Sequence, residues 1–259
     1  MELIVLLKAV PDLTEELEID AAGTGLATEW LTWVASEWDE YAVEEALQLK
    51  ESFGATVTCL ALDTGSVDEL LATCLARGAD RVLKVGSFER PPDSHTAARA
   101  FAAALGGLSY DLVLTGVQAI DDVDGQVGPL LGAALDLPHV SVVTHIALAT
   151  DGKSATVNQE YAGGIVGEFE VDLPAILGVQ TSREVPRYAP VSRVRQLLKT
   201  AEIGHLDAPA DGGSGLIVEA MEVPKADHQA EMIGGNADAI AARLVEILRE
   251  RGLTSGSAR

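Results

Sequence analysis

Short apolar runs alternate with helical stretches along the first half of the sequence. The runs are LIVLL at 3–7, TVTCLAL at 56–62, RVLKV at 81–85 and YDLVLT at 110–115. A continuous apolar run of this length is typical of a strand that is covered on both faces. Strands and helices that alternate in this way predict βαβ units in an open sheet. We therefore predict an α/β fold with a doubly wound, mostly parallel sheet.

The stretches between these runs carry the signals that begin and end helices. DEYAVEEALQLKESFG, which starts at Asp39, has acidic residues in its first turn and Gly54 as its stop. A second helix is predicted to end at Gly78, and a third, SHTAARAFAAAL, to begin with Ser94 as its N-cap. The first helix is expected to bury one face, formed by Val43, Ala46, Leu47 and Phe53.

Beyond Pro138 the pattern changes to alternation with glycine pairs. HVSVVTHIALA and SATVNQEYAGGIVGEFEVDLPAILGV predict the strands of an antiparallel ribbon that closes on the sheet. The composition of DAPADGGSG, at 207–215, predicts a linker. We predict an α/β domain over 1–200 and an extension over 201–259.

The predicted extension ends in a strand and a helix. The strand is LIVEAMEV, and the helix NADAIAARLVEILRERG has Asn236 as its cap. Since a lone helix of this length is marginal in water, it needs a surface to dock on, in this chain or in another. The expected contact stripe consists of Ile240, Leu244, Ile247 and Leu248.

The charge of the chain argues against one class of partner. The 259 residues include 18 basic and 40 acidic side chains, with a formal net charge of −22. A field of this sign repels nucleic acids and anionic lipids. No apolar stretch is long enough to span a membrane, and MELIVLLKAV predicts a first strand rather than a secretory leader. Cys59 and Cys74 lie in apolar patterns, so we expect buried free thiols in a reducing, cytoplasmic compartment.

The usual signatures of catalysis are missing from the sequence. No GxGxxG follows the first strand and no GxxxxGK[ST] occurs, so neither a dinucleotide Rossmann site nor a P-loop is supported. The five histidines lack metal-ligand spacing, and no nucleophile elbow or Ser/His/Asp order is present. We predict no metal site and no catalytic side chain, and whether the chain takes part in an enzyme stays open.

GVQAIDDVDGQVGP, at 116–129, follows the fourth predicted strand and is the candidate site. Ligands of open α/β sheets bind outside the carboxyl ends of the strands. Gly125 and Gly128 let the backbone approach a ligand, and a helix from about Gln126 directs free N–H groups at the turn. These features favour a flat, phosphorylated ligand. The alternative is a plain βα connection in which Asp124 caps the helix.

Five blocks of the sequence match one family. They are KAVPD at 8–12, DEYAVEEALQLK at 39–50, CLARGADR at 74–81, GVQAIDD with QVGP at 116–129, and VPRY at 185–188 with a basic tail. In this order they resemble the β subunit of electron transfer flavoproteins over about residues 1–199. The resemblance implies an adenine-nucleotide-binding sheet in a heterodimeric carrier, which takes electrons from flavin dehydrogenases to a quinone reductase or another acceptor. The alternative is a stand-alone adenine-nucleotide-binding or sensor protein on the same scaffold.

The resemblance also implies cofactors and contacts. The α subunit would hold most of a redox-active FAD, while this chain would bind AMP or, in electron-bifurcating members, a second FAD. Flavin dehydrogenases would dock between Tyr188 and Arg195, and the C-terminal extension, as in the bifurcating type, would embrace the α subunit. Carried over by position, the nucleotide contacts would be Ala9, Ser36, Asp39, Asp121, Asp124, Gly125, Gln126, Val127 and Gly128.

Several of these positions depart from the pattern of the family. Ser36 and Glu37 replace an Asn-Pro pair, Val117 replaces a basic residue, and Asp124 stands where a small hydroxyl residue is expected. A carboxylate about 4 Å from a phosphate would cost on the order of 4 kcal/mol at an effective dielectric constant near 20. We therefore expect weakened or altered nucleotide binding. Val191 takes the position of a leucine in the docking loop, which predicts an unusual dehydrogenase partner.

Overall fold

A computed structural model describes residues 1–122, 124–209, 217–224, 230 and 232–253 of the chain. The chain divides into two compact units, Met1–Ala220 and Met221–Arg259. The first unit contains the candidate site, and the two units are described separately.

Strands and helices of the first unit follow the alternation that the sequence predicts. The first half contains β1 (Glu2–Leu7), β2 (Ala9–Pro11), β3 (Trp33–Ala35), α1 (Glu37–Phe53), β4 (Thr56–Leu62), α2 (Asp68–Arg77), β5 (Arg81–Val85), α3 (Ser94–Leu105), β6 (Leu112–Gly116) and α4 (Val127–Leu135). The second half contains β7 (His139–Leu148), β8 (Ser154–Tyr161), β9 (Ile165–Asp172), β10 (Ala175–Val179), α5 (Val191–Thr200) and β11 (Gly204–Leu206).

The strands of the described residues form one large sheet and one small one. The large sheet has the order β11-β5-β4-β1-β6-β10-β7-β8-β9, and β2 pairs with β3 antiparallel. All neighbours from β11 to β7 are parallel, whereas β7, β8 and β9 are antiparallel to one another. The predicted α/β sheet with an antiparallel ribbon is therefore confirmed. AILGV differs from its prediction, because β10 is a buried parallel strand between β6 and β7 rather than part of the ribbon.

The apolar run of β1 reflects a sheet that is covered by helices on both faces. Leu3, Val5 and Leu7 belong to the core cluster that α1 and α2 cover. Ile4 and Leu6 belong to a second cluster, together with residues of α3 and α4. Successive side chains of a strand point to opposite faces and both faces of β1 are covered, so every position from Leu3 to Leu7 is apolar.

Two helix ends show how the local predictions fared. Gly54 ends α1 in the left-handed conformation, as predicted. The N-cap of α3 is Asp93 rather than Ser94, because the Asp93 carboxylate accepts hydrogen bonds from the amides of His95 and Thr96. Phe53 was expected in the buried face of α1 but is exposed at the last turn of the helix.

The C-terminal region differs from its prediction in one element. LIVEAMEV forms no strand over its described residues, 217–223, and Leu216 and most of the predicted linker lie outside the described residues. In the second unit, α6 (Ala237–Glu250) begins as predicted at Asn236, whose side chain accepts a hydrogen bond from Ala239 N at 3.0 Å. None of the described helices is long and apolar enough to cross a bilayer.

α1 buries two neighbouring carboxylates that differ in their partners. Glu44 accepts hydrogen bonds from the backbone N, Nε and Nη2 of Arg187, which also contacts Glu51. Burial alone would raise the pKa of Glu44, but these bonds outweigh burial and hold the pKa below its ordinary value. Glu45 is only 2% exposed, and its Oε2 has no hydrogen-bond partner within the described part of the chain. Burial raises the pKa of Glu45 to about 7, although Arg183 lies nearby.

Replacing Glu45 by glutamine is expected to stabilise the fold at alkaline pH. The folded state raises the pKa of this carboxyl from 4.5 to about 7. The protonated carboxyl therefore makes its full contribution to the free energy of unfolding below pH 4.5, and this contribution is lost as the pH rises through about 7. Glutamine does not ionise, so the free energy of unfolding of Glu45→Gln should exceed that of the wild type by about 2–3 kcal/mol at pH 8 and by less at pH 5. Urea unfolding at both pH values measures the difference.

The exposed Glu37, at the beginning of the same helix, provides the control. Glu37→Gln removes the same charge without relieving burial, so its free energy of unfolding should stay close to that of the wild type at both pH values. A stabilisation by Glu45→Gln that is larger at pH 5 than at pH 8 would contradict the explanation from burial.

Candidate functional site

The candidate site lies where β1 and β6 separate at their carboxyl ends. The chain passes from β1 to β4 on one side, whereas β6 joins β1 on the other side. The two strands pair from Leu3 and Leu112 to Val5 and Leu114. Such a reversal of strand order leaves a crevice, and ligands of open α/β sheets bind there.

Asp39, near the beginning of α1, bridges the two separating strands. Its Oδ2 accepts a hydrogen bond from Lys8 N at 2.7 Å and its Oδ1 accepts one from Gly116 N at 2.9 Å. Burial raises the pKa of Asp39 to about 7, against the effect of these two N–H groups and of the Lys8 ammonium, which favour the ionised form. A β-carbon at Gly116 would lie 2.5 Å from Oδ1, so only glycine allows this bridge.

Lys8 connects the crevice to the acidic residues of the loop. Its Nζ lies 2.8 Å from Asp121 Oδ1 and 3.2 Å from Asp122 Oδ2. Asp122 also accepts a hydrogen bond of 2.7 Å from Ser94 Oγ at the beginning of α3. Sequence reasoning missed Lys8, Ser94 and Asp122 as site residues. Lys8 and Asp122 stand inside the motifs of the resemblance, but the sequence does not say which lysine meets which acid.

The first turn of α4 presents main-chain N–H groups to the crevice. α4 begins after Gln126, and no side chain caps it among the residues that the structure describes. Asp124, the alternative cap, is exposed. The first-turn amides are therefore available to an anion, and the helix dipole adds a positive potential at this end.

A cleft brings together part of the predicted contact set. The predicted residues that line the cleft are Asp39, Gly125, Gln126, Val127 and Gly128. The other predicted residues, Ala9, Ser36, Asp121 and Asp124, are not part of its lining. Ser36 is nevertheless tied to the loop, because its hydroxyl donates to Gln118 O at 3.4 Å. Thr115, at the end of β6, also lines the cleft and was not predicted.

The two loop glycines are required by the packing of the chain itself. Gly125 has a φ of +61°, and a β-carbon there would lie 2.6 Å from Val117 O. At Gly128 a β-carbon would lie 2.7 Å from His139 Nε2. Burial lowers the pKa of His139 and so favours the neutral form of this imidazole. The sequence suggested that these glycines admit a ligand, whereas the structure also gives them neighbours within the protein.

The resemblance predicts an adenine nucleotide in this cleft. The backbone groups of the cleft suit such a ligand better than the charged side chains of the cleft do. The free amides of α4 suit a phosphate, and Leu62 and Phe101 provide an apolar wall. The carboxylates outnumber the one lysine, so the side chains disfavour an added anion. The cleft, which is partly open to solvent, has a volume of about 40 Å³ between its walls, room for a few water molecules.

Thiol and metal chemistry have little support elsewhere in the structure. Cys59 and Cys74 are free and buried, and a hydrogen bond with Cys74, together with burial, raises the pKa of the Cys59 thiol. A thiol with a raised pKa is a poor nucleophile. No group of three or more His, Cys, Asp or Glu side chains among the described residues could hold a metal ion.

Comparisons with known proteins agree with the resemblance. The sequence model of the electron transfer flavoprotein domain family matches residues 24–210. The chain is 29% identical to an electron transfer flavoprotein subunit beta of Methylophilus methylotrophus, over 96% of this chain and 98% of the relative. It is 30% identical to the subunit beta of Thermoanaerobacterium thermosaccharolyticum, over 97% and 99%, and 27% identical to that of Bacillus subtilis, over 96% and 98%.

Gly128→Ala is expected to destabilise the first unit because the added methyl group meets the His139 ring. Overpacking of this kind costs about 1–3 kcal/mol. Thermal and urea unfolding would measure the loss, with Gly107→Ala as a control, since a β-carbon there would meet only Ala104 O at 3.8 Å. Combining Gly128→Ala with His139→Ser should recover part of the stability. If the double variant is no more stable than the sum of the single effects predicts, the steric explanation is wrong.

Proposed function

The chain belongs to the electron transfer flavoprotein family, and we propose that it is the β subunit of a heterodimeric electron carrier. In this role it pairs with an α subunit and carries electrons from flavin dehydrogenases to a quinone reductase or another acceptor. The flavin, held mainly with the α subunit, supplies the redox chemistry when bound. The contribution of this chain is to bind an adenine nucleotide and to provide surfaces for its partners.

The observation that carries the nucleotide assignment is the uncapped beginning of α4 at the switch point of the sheet. Gln126, Val127 and Gly128 provide amides that would bind a phosphate by their N–H groups. Asp39 holds Lys8 and Gly116 in place on the two sides of the crevice. The ligand would be AMP in an ordinary carrier or a second FAD in a bifurcating one.

The surface of the β2–β3 segment supports a large polypeptide partner. Trp30 is 89% exposed, and Leu13 and Val34 are exposed in the same segment. An exposed tryptophan among other apolar residues is typical of an interface core. We assign this surface to the α subunit, and we assign α6, with Leu244 and Leu248 exposed in its own unit, to the same partner.

The segment around the beginning of α5 is the proposed docking site for dehydrogenases. Tyr188 is 78% exposed and Val191 is exposed as well. Arg193 and Arg195 add positive charge to the same exposed stretch in an otherwise acidic chain. Arg187 anchors this segment to α1 through Glu44. An exposed aromatic residue with arginines nearby suits a partner that offers an apolar pocket with an acidic rim.

Co-expression with an electron transfer flavoprotein α subunit from the same genome tests the proposal. We expect a yellow heterodimer on size-exclusion chromatography. One FAD and one AMP per heterodimer would indicate an ordinary carrier, and two FAD would indicate the bifurcating type. A chain that stays alone and binds an adenine nucleotide would instead support the stand-alone sensor. A colourless pair without adenine nucleotide would refute the proposal.

Asp124→Thr is expected to raise nucleotide occupancy in the heterodimer. The carboxylate lies next to the first turn of α4, and its removal lessens repulsion of a bound phosphate. Because Asp124 is exposed and therefore screened by solvent, we expect an increase in AMP affinity of about threefold to tenfold. Equilibrium dialysis with AMP measures it, and Glu202→Gln, which removes an exposed charge elsewhere, is the control. Equal affinities for Asp124→Thr and the wild type would show that the departure at this position has no electrostatic cost.

A further inference from the structure

Thr115 is a polar residue in an otherwise apolar, fully buried strand end. The preceding residues of β6, Leu112, Val113 and Leu114, are completely buried, and Thr115 itself is 4% exposed. Its Oγ1 has no hydrogen-bond partner within the described residues. Its side chain nevertheless lines the cleft at the switch point.

A buried hydroxyl without a partner is unusual in a folded protein. The large majority of buried polar side-chain atoms have a hydrogen-bond partner, because an unpaired one has lost its water without replacement. Valine has nearly the same shape and would fill this position without that cost. The hydroxyl of Thr115 therefore points to a partner that binds in the cleft.

The position of the hydroxyl relative to α4 indicates the chemistry of that partner. A β-carbon at Gly128, in the first turn of α4, would lie 3.5 Å from Thr115 Oγ1. The hydroxyl thus lies beside the free amides and the positive end of the helix dipole. His139 Nε2, a second buried polar atom without a partner among the described residues, lies on the same side of Gly128. A ligand group at this point meets the Thr115 hydroxyl and the amides of the first turn of α4, and such hydrogen-bond donors suit an anion.

We propose that Thr115 is a ligand-binding residue whose hydroxyl donates a hydrogen bond to the phosphate of the bound adenine nucleotide. This inference rests on the proposed function, since it assigns a phosphate-binding role at the same cleft. It adds a side-chain donor to the main-chain amides, and it places that donor on β6 rather than in the loop. Thr115 then helps the site to distinguish a nucleotide from the corresponding nucleoside.

The test compares AMP with adenosine in the nucleotide-stripped heterodimer. Thr115→Val removes the hydroxyl and retains the shape, so the dissociation constant for AMP should rise about tenfold or more. The affinity for adenosine should stay within about twofold of the wild type. Thr115→Ser keeps the hydroxyl and should retain AMP affinity. The unfolding midpoint of the nucleotide-free Thr115→Val heterodimer should equal or exceed that of the wild type, because the variant loses only an unpaired hydroxyl.

The outcomes separate this inference from the proposed function. If the wild type binds AMP and Thr115→Val binds it equally well, the role of Thr115 is refuted while the proposed function stands. If AMP and adenosine weaken by the same factor, the hydroxyl does not contact the phosphate and the inference fails. A wild-type heterodimer that binds neither ligand refutes the nucleotide-binding part of the proposed function, and with it this inference. Should Thr115→Val fail to assemble, Thr115→Ala against Thr115→Ser gives the same comparison.

Discussion

Two parallel strands that separate leave main-chain N–H groups without partners, and the carboxylate of Asp39 provides the acceptor for two of them. It binds the amides of Lys8 and Gly116 at the carboxyl ends of β1 and β6. Buried N–H groups need acceptors, so the crevice could not remain open and dry without such a bridge. The bridge also positions α1, and through Glu44 and Arg187 α1 positions the segment before α5. The candidate ligand site and the proposed docking site are thus attached to one helix.

The sequence was sufficient for the architecture but not for every element. Apolar runs and helix signals predicted the alternating strands and helices of the first half because both depend on local patterns. The sequence pattern predicts β10 as part of the ribbon, whereas the structure places it between β6 and β7. Periodicity contains no information about the long-range pairing that sets the order of strands. Serine suits a helix cap, so the sequence predicts Ser94 there, yet Asp93 accepts hydrogen bonds from the first-turn amides and Ser94 instead donates to Asp122. Phe53 lies one turn too late in α1 to reach the core.

The site shows the same division between local and long-range information. The loop and the uncapped helix were predictable because they lie within one stretch of sequence, 116–129. Lys8 and Thr115 were not, because their importance depends on which strands border the crevice. The structure also distinguishes the backbone groups of the cleft from its charged side chains as possible binding groups for a phosphate. In the proposed function a phosphate is attracted by backbone dipoles and by the Thr115 hydroxyl, whereas Asp121 and Asp122 already pair with the ammonium group of Lys8. Backbone donors are uncharged, so they can bind an anion within an acidic protein.

β10 lies between β6 and β7, although the chain passes through the whole ribbon before reaching it. Val117, the first residue of the loop after Gly116, donates its amide to Val179 at the far end of β10. A nascent chain leaving the ribosome therefore holds an unpaired edge at β6 until the ribbon has been translated. Such an edge invites pairing with other chains, so this stage is where molecular chaperones would be needed. A truncated N-terminal fragment that ends before β10 would therefore keep this edge of β6 exposed.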